Sequence, residues 1–275
     1  MPDQVSLRYQ QEFSMSSAAG QQIVRIGLIS QTSSADDATV KAVAAAIDIQ
    51  LKCHVGPRWK VSGTVEAFPF CTHPPAGVSP IFIVENTPNH VGGLHTTTDG
   101  GLPWAIVLVS RDWHVAASHE AIELLIDPTG NRMQESSSIQ IAPDGSVQDG
   151  TDRVKYIVEA CDPLEDGSYT YPINGIAVSD FYTPAYFDAA VTPGTEYSFN
   201  GALTRPREVK PNGYISWMSS DGRLHQLRWF GKPEIFDLPD HSAATTQDGQ
   251  PLSHREFIDQ HTHTPRKREL HPWLK

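Results

Sequence analysis

The stretch SHEAIELLIDP, residues 118–128, places His119, Glu123 and Asp127 at positions i, i+4 and i+8. On an α-helix such positions rise along one face, and Glu120 stands ~100° round from His119 on the same turn. Ala121, Ile122, Leu124, Leu125 and Ile126 make the other face apolar, so the helix is expected to be buried on that side. A buried helix with four ionisable groups needs opposite charge to neutralise them, and a divalent cation supplies it.

The pattern is HExxE. In helix-borne HExxH sites the ligands come from i and i+4, and the Glu after the first His polarises a metal-bound water. His119 and Glu123 are therefore expected as ligands. Glu120 is expected as the general base toward a water whose pKa the metal lowers to ~7. Glu123 is a harder donor than a second His, so the candidate metals extend from Zn2+ to Mn2+ and Fe2+, with Ca2+ for a purely structural site.

A catalytic centre of this kind needs a third protein ligand. The segment VEACDPLEDGSY, residues 158–169, concentrates Glu159, Asp162, Glu165 and Asp166. Glu159 is expected as the third ligand and Asp162 as the group that orients His119, with Asp127 and Glu165 as supporting or substitute ligands. A solvated loop or a calcium-binding turn is the other reading of this acidic cluster.

Outward from the helix, WAIVLV (104–109) predicts a strand directly before it, and the preceding NTPNHVGGLHTTTDGGLP (86–103) is dense in loop-forming residues. IVRIGLI (23–29) predicts a strand, and QTSSADD (31–37) offers residues that cap a helix. Over 38–51, Val40, Val43, Ala44, Ile47 and Leu51 fall on one helical face. WKVSGTVEAF (59–68) and PIFIVE (80–85) add two strands. This order predicts an α+β fold, a twisted mixed sheet backed by one helix and covered by the HExxE helix. The second half reads as strand and loop, with hairpins turning at Pro143-Asp144-Gly145, Asn174-Gly175 and Asp221-Gly222. The expected organisation is a flexible segment 1–20, a metal-binding domain 21–205, a hairpin extension 206–240 and a polar tail 241–275. In that tail His254, His261, His263 and His271 are read as solvated.

The chain has 275 residues, enough for a substantial core, and a net charge of −11, which argues against nucleic acid and anionic lipid as partners. The sequence opens without the basic start and apolar run of a secretion signal, and no stretch reaches the ~20 apolar residues of a membrane span. A soluble protein, cytoplasmic or phage-associated, is expected. Three cysteines, Cys53, Cys71 and Cys161, form no CxxC pair and read as small buried residues, not as a disulfide or zinc-finger framework.

These residues resemble the zincin metallopeptidases, which combine a mixed sheet, a backing helix and an HExx(H/E) helix after an edge strand; the resemblance covers roughly residues 23–186. Glu159 and Asp162 resemble the downstream Glu ligand and His-orienting Asp of the gluzincin branch. Glu at position 123 and the short Glu159 to Asp162 spacing depart from its pattern. GLPWAIVLVS, SHEAIELLIDP, EACDPLEDGSYTY and AVSDFYTPAYF also look like uncharacterised proteins of bacteria and their phages. The resemblance implies a zinc metallopeptidase that binds an extended peptide or protein substrate beside strand 104–109 or the loop before it. His95 in that loop, Tyr169 and Tyr171 are then candidates to touch substrate or stabilise an oxyanion. A non-catalytic binding protein with a structural metal is the alternative, and the oligomeric state is open.

Overall fold

The computed structural model describes residues 23–87, 92–98, 101–242, 244–245, 249 and 251–262. The segment 1–20, His263 and His271 lie outside the described residues. The described residues divide into two compact units: 23–128 with Ile173–Ile176, and Thr129–Pro172 with 177–262. The division falls where the HExxE helix ends, inside the 21–205 stretch expected to be one domain. Helix and strand mix throughout, as an α+β chain requires.

In the first unit, β1 (Ile23–Ser30) leads into α1 (Asp37–Ile49), whose start is fixed by Asp36: its carboxylate accepts the Thr39 backbone N–H at 2.8 Å. The helix continues through a π-helical turn, Gln50–Val55, and a short turn, Gly56–Trp59, that ends at Lys60 in the left-handed conformation. Then come β2 (Ser62–Phe68), β3 (Val78–Val84), β4 (Gly93–Thr97), β5 (Pro103–Leu108) and α2 (Trp113–Ile126).

The sheet order is β2-β1-β3-β5-β4, parallel except for β4, which runs antiparallel to β5 at the edge. Two sequence expectations change here. The edge strand is β4, drawn from the stretch read as open loop, while 104–109 supplies the interior strand β5. In addition, α1 and α2 approach each other, which helices on opposite faces of a sheet cannot do, so they share one face and do not sandwich the sheet.

Register fixes which side chains meet α2. His95 pairs with Ala105, and Ala105 with Ile81; Gly93 pairs with Val107, and Val107 with Ile83. These residues share one face, because directly paired residues point the same way. The alternate residues Leu94, Ile106, Trp104, Phe82 and Val84 form a separate apolar cluster with Ile29 and Phe68 on the other face.

The second unit is built on an antiparallel sheet of order β12-β11-β10-β7-β6, from β6 (Met133–Ile141), β7 (Val147–Ile157), β10 (Tyr214–Met218), β11 (Leu224–Phe230) and β12 (Lys232–Asp237). β8 (Thr170–Ile173) and β9 (Ile176–Ser179) pair separately. The three expected hairpin turns are present, and Asn174 (φ 51°) and Gly175 (φ 80°) take the paired positive angles of a two-residue hairpin turn. The tail departs from the sequence reading. α3 (His254–Thr262) buries Arg255, Glu256, Phe257 and Ile258, and the last two join a core with Ile157, Leu224, Leu238 and Leu252. Two adjacent apolar residues on a helix of nine residues suffice when a sheet already offers a hydrophobic face. Among the described residues no helix is long and apolar enough to cross a membrane.

Candidate metal centre

α2 begins five residues before the sequence signature, at Trp113, and ends at Ile126, with the Asp127 N–H still donating to the Glu123 carbonyl at 2.7 Å. Every residue from Ala117 to Ile126 is buried. The helix is therefore enclosed on its ionisable side as well as on the apolar one that the sequence indicated. Gly63 of β2 explains part of this closeness: a Cβ there would come 2.8 Å from Cδ1 of Leu125.

On that enclosed side, Nε2 of His119 stands 3.2 Å from Oε2 of Glu123, the contact that i, i+4 spacing allows. From β4, Nδ1 of His95 lies 3.1 Å from Oε2 of Glu120 and 3.5 Å from Oε2 of Glu123. His95 is 1% exposed, Glu120 3% and Glu123 0%. His95, Glu120 and Glu123 bring their ligand atoms within 4.8 Å of one another, close enough to hold one metal ion together. Two carboxylates and two imidazoles thus meet in a water-poor space, where unbalanced charge is costly.

Gly93 makes room for this arrangement. It lies two residues before His95, on the same face of β4, and the Glu120 carboxylate occupies the space where a side chain at 93 would stand. Asp127 is buried and is the C-cap of α2, with φ −134° and ψ 71°.

The other sequence candidates belong to the second unit. Glu159 and Asp162 are buried there beside Arg255, whose Nη1 is 3.4 Å from Glu159 Oε2 and 2.7 Å from Asp162 Oδ2. Its Nε is 3.2 Å from Asp259. Burial works against the Arg255 charge, but Asp162, Asp259 and Glu159 outweigh it and hold the guanidinium pKa well above its ordinary value. A fixed guanidinium competes with a metal for the same carboxylates. Glu165 is exposed, Tyr169 is half-buried, and Tyr171 packs against Phe199 with ring centroids 4.8 Å apart. Cys161 is buried and Cys71 half-buried, whereas Cys53 is exposed, against the expectation of burial; none of the three is in a disulfide.

Sequence reasoning placed His95 near substrate and missed its contact with the carboxylates. The signal available was Gly93-Leu94-His95, which puts a residue without a side chain and an imidazole on one face if the segment is a strand. No family model, curated protein or solved structure matches the chain.

Proposed function

We propose that the chain is a metal-dependent hydrolase, zincin-like in character and acting on peptide bonds, with its centre on α2. The observation that carries this reading is the buried His119–Glu123 contact at 3.2 Å, with Glu120 on the same turn of the helix. The mixed sheet, the helix α1 and the antiparallel edge strand β4 agree with it.

The donor set fits a divalent cation: two carboxylates supply two negative charges, and imidazole nitrogen suits zinc or iron better than calcium. His119 and Glu123 would hold the ion, with zinc as the first choice and Mn2+ or Fe2+ as alternatives. A bound cation supplies Lewis acidity, which lowers the pKa of water toward ~7 and polarises a carbonyl. Glu120 would accept the proton that is released, its carboxylate seated in the space that Gly93 leaves open. Burial of these groups strengthens every charge interaction among them. Among the described residues β4 has a partner in the sheet on one side only, so an extended peptide can add to its other edge.

Glu120→Gln tests this directly. Turnover of a peptide library should fall by about 10²–10⁴-fold with metal content unchanged. Wild-type protein that carries metal and cleaves nothing would remove the hydrolase reading.

The depth of the site favours a second reading, a structural ion that pins β4 to α2, since Glu123 is fully buried and His119 only 8% exposed. In that case Glu120→Gln leaves metal binding and partner binding unchanged, and no turnover is found in the wild type.

A further inference from the structure

We propose that His95 is itself a metal ligand, so that β4 joins α2 of the first unit in an imidazole- and carboxylate-containing site for a borderline transition dication such as zinc. This rests on metal binding at the HExxE helix and names a ligand that the helix motif does not contain.

Zinc binds nitrogen and oxygen at ~2.0–2.2 Å, so two ligands at a tetrahedral angle stand about 3.4 Å apart. Oε2 of Glu123 is 3.2 Å from Nε2 of His119 and 3.5 Å from Nδ1 of His95. Glu123 thus faces one imidazole from its own helix and one from the strand, both at the separation of neighbouring ligands. Glu120 Oε2, 3.1 Å from the same His95 nitrogen, stays beside this set and remains available as a base.

The position of His95 is not incidental to its neighbours. It is buried on the α2 side of β4, and the backbone there is held by antiparallel pairing with β5 at Ala105. Gly93, on the same face, leaves the space in which Glu120 lies. A rigid strand therefore delivers the imidazole and a glycine clears the approach, as a ligand supplied from a second element requires. The donor class follows: imidazole with carboxylate selects zinc, cobalt or iron over calcium and magnesium, which prefer oxygen shells.

The test uses the full chain, stripped of metal with a chelator and titrated with Zn2+ and Co2+. His95→Cys should retain cobalt binding and gain a near-ultraviolet thiolate-to-cobalt charge-transfer band that the wild type lacks, because a thiolate at 95 enters the coordination shell. His95→Ala should weaken zinc binding by more than about a hundredfold, beyond the roughly 10- to 100-fold that loss of a merely orienting partner costs. Circular dichroism of the metal-free proteins checks that each variant folds. If the wild type binds one equivalent and His95→Cys binds cobalt without the new band, the assignment of His95 is overturned while metal binding at the helix stands. If the wild type binds neither metal, the reading of the helix fails and takes this inference with it.

Discussion

Gly93 on β4 and Glu120 on α2 occupy complementary space: a Cβ added at Gly93 would fall 3.1 Å from both Cγ and Cδ of Glu120, and nearer still to its Oε1. The strand and the helix are thus matched at the level of single atoms. This contact ties a residue without chemistry to the side chain proposed as the base.

Gly93→Ala is therefore expected to push the Glu120 carboxylate away from His95 and to weaken metal binding or turnover by about tenfold or more, as loss of an orienting contact does. Gly92→Ala is the control, because a Cβ at 92 meets nothing within 4 Å. Equal affinities for the two variants, by zinc titration, would show that the Glu120 position does not depend on Gly93.

Metal removal should lower thermal stability. A ligand that binds only the folded chain stabilises it by ~2.7 kcal/mol at a hundred times its Kd, so zinc returned at that level should restore the melting temperature lost to chelation. A melting curve indifferent to chelator and to added zinc would count against the catalytic and the structural metal alike.

Arg255 is expected to be a structural requirement of the second unit. Its guanidinium is buried between Asp162, Glu159 and Asp259, and removing one partner of a buried ion pair typically costs about 3–5 kcal/mol, because the remaining charges are left uncompensated. Arg255→Met should lose stability on that scale in urea denaturation, and Asp162→Asn added to it should recover part of the loss. A change below about 1 kcal/mol would mean that the carboxylates are neutralised some other way.

His254 gives stability a pH dependence of defined sign. Burial, then the neighbouring His241, holds its pKa below the ordinary 6.5, and its Nδ1–H donates to Asn131 at 2.9 Å. The unfolded chain therefore binds more protons just below pH 6.5. This contribution to stability is present above 6.5 and is lost as the pH falls through the lower folded value. The slope from one such site is at most ~1.4 kcal/mol per pH unit. Melting temperatures measured from pH 7.5 to 5.5 should fall, and His254→Asn should flatten part of the fall; an identical pH profile would contradict it.

The parts of the fold legible in the sequence are those set by local chemistry. The HExxE helix shows because its ionisable and apolar positions keep helical spacing, and the start of α1 shows because Asp36 is a good cap. The hairpins show because Asn174-Gly175 and Asp144-Gly145 suit turns that need positive φ. β4 was hidden for the opposite reason. Gly93, Leu94, His95, Thr96 and Thr97 carry little apolar content, and their strand exists only through pairing with β5. The contact of His95 with Glu120 depends on that pairing register, which no local pattern states. α3 was hidden likewise, since Phe257 and Ile258 gain their meaning from a core formed by Ile157, Leu224 and Leu238.

Whether the buried imidazoles and carboxylates of β4 and α2 hold a metal is decided by elemental analysis of the purified chain beside His119→Ala. One equivalent of a transition dication, zinc first, is expected in the wild type and far less than one in the variant. A wild type free of transition metal after zinc has been offered, or a variant that binds as much as the wild type, would contradict it.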